Sequence, residues 1–250
     1  MKRWVLLAIA LASLAIFAWP PIHQSLDYHR FADTRTLFGL SNFWNVASNV
    51  PFVLVGIAGL AWMATHVTRV DRCLRAAWLV LFVGVVFVGL GSSWYHLAPG
   101  NATLVWDRLP MTLAFMALFA IILGEHIDDK LARFTLWPLL AAGVASVLYW
   151  QRTDDLRPYV LVQFLPVLLI PLILVLYPRK GRGAVWAALG CYVLAKLLEQ
   201  FDAQVYAALG GTISGHSLKH VAAAAGMWAL LAGLKGRRSA SIQPSAPVPG

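Results

Sequence analysis

Charged residues are scarce in this chain. They make up 12% of its 250 residues, whereas 60% of the residues are hydrophobic. Such a composition cannot close into a water-soluble core without leaving a large apolar surface exposed. The apolar runs are long and do not alternate with polar residues, as the strands of a membrane barrel would. The sequence therefore predicts an all-α polytopic membrane protein.

Cysteine is almost absent, and the signatures of nucleotide and nucleic-acid binding are missing. Cys73 falls in a predicted loop and Cys191 in a predicted span, so we expect neither a disulfide nor a cysteine metal site. The sequence has no phosphate-binding glycine loop and no basic patch with interleaved aromatic residues. The net charge of +9 needs no nucleic-acid partner, because most of it lies in loops that set membrane orientation. The expected partner is the lipid bilayer.

Eight apolar segments are long enough to cross a bilayer, for which a helix needs about 20 residues. The first segment follows Lys2 and Arg3 and has some features of a signal peptide. Ile16, however, stands where cleavage after Ala18 would require a small residue, so we expect an uncleaved helix. The predicted spans cover residues 4–19, 43–64, 76–97, 104–124, 134–150, 159–177, 184–200 and 215–234.

Basic residues occupy alternate connections between the spans. Lys and Arg resist export, so short basic loops remain cytoplasmic. With eight spans, the basic segments at residues 2–3, 69–75, 179–182 and 235–238 all lie on one side. The loop LAPGNAT (97–103), on the other side, has no basic residue. Both termini are therefore predicted to be cytoplasmic.

Polar residues within the spans gather at three helix ends on the predicted outer side. GLGSSWYH (89–96) ends the third span, WDRLPM (106–111) opens the fourth and GHSLKH (215–220) opens the eighth. Ionisable groups are costly inside a bilayer and usually face a polar cavity. These three segments therefore form the candidate site.

Three histidines in these segments could hold a metal ion. His216 and His220 are one helical turn apart, so both imidazoles project from one face. His96 is the available third ligand, and three neutral histidines plus water make a tetrahedral catalytic zinc site. Ser92 precedes His96 by one turn, where its hydroxyl could donate to an oxyanion. Asp107 could accept a proton from water activated by the zinc, or orient a ligand histidine.

Each feature alone also has a structural explanation. A lone HxxxH in a helix is more often a packing motif than a metal site. Ser92 beside Gly91 could serve close helix packing. Asp107 and Arg108 could form an interfacial ion pair. The convergence of these residues from three helix ends favours the metal site.

Other hydrolase motifs fit less well. A zincin needs a glutamate base after its first histidine, where this chain has Ser217. A rhomboid-like serine protease would have a GxSG helix start, and GTISG (211–215) has the wrong spacing. A dyad of Ser92 and His96 remains open, but it leaves the later histidine pair unexplained.

The combined pattern resembles the alkaline ceramidase family, within the superfamily of seven-helix membrane hydrolases that includes the adiponectin and progestin receptors. The resemblance extends over about residues 27–234, and the chain looks like a bacterial-type member. The matching residues are Ser92 with His96, Asp107 in DRLPM, and the late His216 and His220.

The resemblance implies a zinc-dependent hydrolase of a lipid amide, which in this family is ceramide. Zinc would be held by His96, His216 and His220. Asp107 would hold or activate the water, and Ser92 would stabilise the intermediate. The alternative is a non-catalytic seven-helix lipid receptor or binding protein with a structural zinc, because the receptors share the same polar residues.

The resemblance also implies a division of the chain. Residues 1–20 would be an N-terminal transmembrane helix or signal anchor, residues 21–234 the seven-helix domain and residues 235–250 a disordered cytoplasmic tail. A bacterial-type member with these basic loops would be a multi-pass protein of the cell inner membrane. Its active site would lie near the periplasmic face, and its partners would be the lipid substrate and the bilayer.

A second matching region, FADTRTLFGLSNFWNVASN (31–49), leads into the first helix of the seven-helix domain. Eukaryotic members of the family carry a calcium site there. This chain offers only Asp27, Asp33 and Asn42 as hard oxygen ligands, whereas calcium takes six to eight oxygens. Calcium is therefore doubtful, and Arg35 could replace the ion by a salt bridge to Asp33.

Polar residues also precede the histidine pair, in AKLLEQFDAQVY (195–206). Lys196 and Glu199 are three residues apart and could pair within the helix. Asp202 is near the outer face, where it could orient a histidine or bind a substrate headgroup. These three residues are secondary candidates for the site.

Overall fold

The computed structural model describes residues 15–236. It contains nine α-helices between residues 43 and 235, no β-strand among the described residues, and short 3₁₀ turns at Leu26–His29 and Val67–Arg69. The helices are α1 (Phe43–Ala47), α2 (Val50–His66), α3 (Arg75–Leu97), α4 (Asn101–His126), α5 (Asp129–Thr153), α6 (Arg157–Leu176), α7 (Arg182–Gln200), α8 (Asp202–Ala208) and α9 (Gly215–Lys235).

The long helices correspond to the predicted spans from residue 43 onward. Six of the described segments are long and apolar enough to cross a membrane, and α7 with α8 makes a seventh if this bent pair is one span. This confirms the all-α polytopic class. The predicted span at residues 4–19 and the predicted tail lie largely outside the described residues.

The helices extend beyond the predicted spans. The short helix α8, which precedes the histidine pair, was not predicted. For example, α5 covers Asp129–Thr153, whereas the predicted span covers 134–150. Hydropathy detects only the apolar part of a helix, while the hydrogen-bonded backbone continues into the polar interface. Between α7 and α8 the axis bends by 82°. The short α8 therefore leaves the direction of α7 before the chain enters α9.

The main apolar core lies on α3, α4 and α9. Its largest fully buried side chains include Trp78 and Phe82 on α3, Ile121 on α4 and Leu231 on α9. α4 packs against α3 on one side and α5 on the other, whereas α6 and α7 touch each other at few points. A cavity lies between the loosely packed pair and the rest of the bundle.

Two glycines allow helices to approach closely beside site residues. A Cβ at Gly91, next to Ser92, would overlap the backbone carbonyl of Trp106 on α4. A Cβ at Gly215, next to His216, would overlap the carbonyl of Leu198 on α7. Small residues at helix contacts permit such approaches in membrane bundles. The candidate site therefore forms where two pairs of helices, α3 with α4 and α7 with α9, pack at backbone distance.

Residues 22–35, here called the N-terminal segment, cross the end of the bundle where α3 ends and α9 begins. The carbonyl of Ile22 accepts a hydrogen bond from the Leu156 amide at 2.8 Å. The His29 ring is hydrogen-bonded to the Tyr95 hydroxyl, also at 2.8 Å. The segment thus lies over the end of the bundle that contains the candidate site.

Candidate active site

His96, His216 and His220 meet in the interior of the bundle. Their nitrogen atoms that could bind a metal all lie within 4.8 Å of one another, and the three side chains are buried. His96 Nε2 and His216 Nε2 are 3.3 Å apart. Two nitrogens at about 2.0–2.1 Å from one tetrahedral zinc ion are separated by about 3.3 Å. The histidine set fits such an ion.

A hydrogen bond from the start of the predicted 43–64 span orients one of the histidines. His220 Nδ1 lies 2.8 Å from Ser48 Oγ, which is also 3.3 Å from the carbonyl of Asn45. When the hydroxyl donates to that carbonyl, the ring N–H of His220 donates to the hydroxyl. The Nε2 lone pair is then available to a metal, as in many zinc sites.

The backbone at the start of α9 is fixed by a carboxylate and a helix cap. Asp202 Oδ1 accepts from the His216 amide at 2.7 Å, and Asp202 Oδ2 accepts from the Ala32 amide at 2.9 Å. Ser214 Oγ accepts from the Ser217 amide at 3.1 Å and caps the helix. Asp202 therefore holds the backbone of His216, not its ring, and joins it to the N-terminal segment.

The N-terminal segment and α1 enclose the histidines. The ring of Phe31 lies 4.8 Å from that of His96 and 4.5 Å from that of His216, measured between centroids. Asn42 Nδ2 donates to the carbonyl of His96 at 2.9 Å. Asn45 donates to the backbone of the N-terminal segment and accepts from Ser217 Oγ at 2.8 Å. These contacts separate the histidines from solvent at the end of the bundle.

Sequence reasoning missed Phe31, Asn45 and Ser48. A signal for two of them was present, because Asn42, Asn45 and Ser48 recur at helical spacing where the predicted 43–64 span begins. Three polar side chains on one face of an otherwise apolar helix indicate a polar neighbour. Phe31 offers no comparable signal, since its role depends on a contact across the bundle.

A cavity of about 370 Å³ adjoins the histidines. Ser92, Asp107 and His220 line it at the polar end, and the Ser92 hydroxyl interacts with the Asp107 carboxyl group. Among the described residues, no hydrogen bond joins Asp107 to a histidine. The rest of the lining is largely apolar and includes Phe52, Val85, Val88, Phe115, Leu118 and Met227.

The alternative reading of Asp107 and Arg108 as an interfacial ion pair is wrong. Both residues are buried, and within residues 15–236 the guanidinium forms no ion pair. Neighbouring side chains on a helix point about 100° apart, which directs the two groups to different partners. Asp107 instead interacts with the Ser92 hydroxyl and, through its charge, with the nearby Lys219.

Four further polar residues that the sequence singled out form two ion pairs. Lys196 Nζ lies 2.6 Å from Glu199 Oε2, as the spacing predicts, and Lys219 pairs with the other oxygen of Glu199. This triad lines the cavity. Asp33 and Arg35 pair at 2.6 Å in the N-terminal segment, away from the cavity lining. The triad thus lies in the candidate site. The Asp33–Arg35 pair lies in the N-terminal segment that covers the site.

The three oxygen-bearing residues considered for calcium have separate partners. Asp27 pairs with Arg30 on the surface, Asp33 with Arg35, and Asn42 with the carbonyl of His96. Burial alone would raise the pKa of Asp33, but its hydrogen bonds to Arg35 and the guanidinium charge together lower that pKa. Arg35 is therefore bonded to both oxygens of Asp33, the buried carboxylate that a calcium ion would need as a ligand.

The fold and the site define a multi-pass helical membrane protein with a buried cluster of three histidines. The ceramidase family model matches residues 38–197, which is more than half of the chain. The chain therefore belongs to the ceramidase family. The match includes Ser92, His96 and Asp107 and ends before the His216–His220 pair. No curated protein matches the chain.

Proposed function

We propose that this protein is a zinc-dependent membrane hydrolase that cleaves the amide bond of ceramide or a related N-acyl lipid. Membership of the ceramidase family supports the reaction class. The observation that carries the proposal is the buried cluster of His96, His216 and His220 at the polar end of a largely apolar cavity. A site for a metal beside a volume for acyl chains suits metal-assisted hydrolysis of a lipid amide.

His96, His216 and His220 would hold the zinc ion. When bound, zinc would supply a Lewis acid for the amide carbonyl and would lower the pKa of water to about 7. Ser48 would keep the His220 ring in its binding orientation through Nδ1. Phe31 and the rest of the N-terminal segment would exclude bulk water.

Ser92 and Asp107 would act on the substrate. The Ser92 hydroxyl would donate a hydrogen bond to the carbonyl oxygen of the amide as negative charge develops on it. The Asp107 carboxylate would accept a proton from the attacking water and return it to the amide nitrogen as the C–N bond breaks. Their proximity to one another and to His220 in the cavity lining supports this division of roles.

The acyl chains would occupy the apolar part of the cavity. Both α6 and α7 contribute to its lining, through residues that include Phe164 and Ala188, yet the two helices touch at few points. A lipid could therefore enter from the bilayer between them. The basic loops lie at the opposite ends of the spans from the histidines, which supports an inner-membrane protein with cytoplasmic termini and a periplasmic site.

The test is a paired measurement of metal and activity on purified protein in detergent. We expect the wild-type chain to contain about one zinc per molecule and to release fatty acid from ceramide, with loss of both after chelation. His216→Ala should lose most of its zinc and its hydrolysis. His23→Ala changes an exposed histidine paired with Asp154 and serves as the control. Full zinc content and full hydrolysis in His216→Ala would refute the site.

A further inference from the structure

Arg108 is a buried cation that the proposed reaction does not use. It lies on α4, directly after Asp107, with 5% of its surface exposed. Burying a guanidinium without a carboxylate partner is costly, so buried arginines are normally paired. In the described part of the chain Arg108 has no such partner. Its charge is therefore left for something else to neutralise.

Aromatic rings surround the guanidinium and hold it in place. Its central carbon lies 4.1 Å from the ring centroid of Trp150, 4.7 Å from that of Tyr159 and 5.7 Å from that of Tyr28. Arg108 Nη2 donates to Gln24 Oε1 at 2.5 Å, whereas Nη1 is buried without a hydrogen-bond partner in residues 15–236. Cation–π contacts stabilise the charge without neutralising it. The group is thus positioned, and part of its donor capacity is unused.

Arg108 also gives the cavity an excess of positive charge. The Glu199 carboxylate is already bonded to both lysines, at 2.6 and 2.5 Å. Asp107 interacts with Ser92 and is assigned to proton transfer. Apart from His220 and three tyrosines, the ionisable side chains of the lining are three basic and two acidic ones: Arg108, Lys196, Lys219, Asp107 and Glu199.

We infer that Arg108 binds an oxyanion on the amine side of the scissile amide, so that the preferred substrates are N-acyl lipids whose headgroup carries a carboxylate or a phosphate. This inference rests on the proposed amide hydrolysis. A guanidinium binds either anion through two parallel N–H groups. The apolar part of the cavity suits the acyl chains, whereas Arg108 is among the polar residues beside Asp107. A neutral ceramide headgroup would leave its charge unpaired.

The test compares three lipids with one common acyl chain: ceramide, ceramide phosphate and an N-acyl amino acid. Fatty-acid release is measured for purified wild-type protein, Arg108→Gln, Arg108→Lys and the control Arg152→Gln, which removes an exposed arginine near the outer end of α5. For each anionic lipid we compare kcat/KM with that for ceramide. In Arg108→Gln we expect this ratio to fall about 10- to 100-fold for the lipid whose headgroup Arg108 binds. Arg108→Lys should be intermediate, and the control should keep the wild-type ratio.

The two anionic lipids distinguish the sources of the oxyanion, since only the matching headgroup should show the dependence on Arg108. Equal loss on all three lipids in both Arg108 variants would indicate a structural role and overturn the inference. An unchanged ratio would also overturn it. If zinc-loaded wild-type protein hydrolyses none of the lipids, the proposed function fails instead. Thermal stabilisation by the same lipids, with and without Arg108, then tests anion binding separately.

Discussion

At the scale of single residues, the candidate site separates metal-holding groups from groups that act on the substrate. His96, His216 and His220 are enclosed by Phe31 and by polar side chains at the start of the predicted 43–64 span. Asp107 instead lines the cavity and has no hydrogen bond to a histidine in the described range. Substitutions in the two groups should therefore have different effects on metal content.

Asp107→Asn should separate metal binding from hydrolysis. The amide keeps the size of the side chain but cannot accept a proton, so we expect unchanged zinc content and a loss of about 10²- to 10⁴-fold in rate. Metal analysis and fatty-acid release on the same sample measure both. Asp27→Asn, in an exposed pair with Arg30, is the control. Wild-type hydrolysis by Asp107→Asn would exclude the carboxylate from proton transfer.

Ser48→Ala should weaken zinc binding although Ser48 is not one of the proposed zinc ligands. The substitution removes the hydroxyl next to His220 Nδ1, and loss of such a partner lowers metal affinity by about 10- to 100-fold. Competition with a chelator measures the change. Ser93→Ala, which removes a hydroxyl bonded to the carbonyl of Val46, is the matched control. Equal zinc affinity in the two variants would contradict the role of Ser48.

At the scale of elements, close packing of α7 against the start of α9 positions the histidine pair. Gly215 lies where any Cβ would overlap the carbonyl of Leu198, and Asp202 holds the next amide. A shift of the backbone at Gly215 would also move His216, because the two residues are adjacent in the same helix. The geometry of the metal ligands therefore depends on the interface between these helices.

Gly215→Ala should destabilise the protein by about 1–3 kcal/mol, because the added methyl group must push the helices apart. We also expect reduced zinc content, since His216 moves with the helix. Gly190→Ala is the matched control, because a Cβ there has no neighbour within 4 Å. Thermal unfolding in detergent and metal analysis check both effects. Two equally stable variants with full zinc would refute the role of the interface.

At the scale of the whole molecule, the N-terminal segment closes the end of the bundle over the site. It is joined to α8 through the Ala32 amide and Asp202, and to the backbone at Thr212 through Arg35. Asp33 holds Arg35 in position by accepting from its guanidinium. The attachment of the segment therefore includes an ion pair whose strength depends on pH.

Asp33→Asn should remove a pH-dependent part of the stability. The folded-state pKa of Asp33 is lowered, so its contribution is present above the unfolded value of about 4 and is lost as the pH falls through the folded-state value. The difference in thermal stability between wild type and variant should be largest near neutral pH and shrink below about pH 4. Asp27→Asn, in an exposed pair, should show little difference at any pH. A constant difference for Asp33→Asn would contradict the prediction.

The sequence alone determined the class of fold and the main chemical groups. The length of an apolar run and the spacing of histidines on a helix are local properties, so the spans from residue 43 onward, the His216–His220 pair and the candidate third ligand His96 could be read from them. The pairing of Lys196 with Glu199 was predictable for the same reason.

Only the tertiary structure decided which distant groups complete the site. Ser48 is hydrogen-bonded to His220, and Phe31 packs against His96. The guanidinium of Arg108 packs against aromatic rings and forms no ion pair with Asp107. These contacts join residues far apart in sequence, and each depends on the angle at which two helices pack. No periodicity within one segment encodes that angle, because it results from how side chains of several helices fill their common interior.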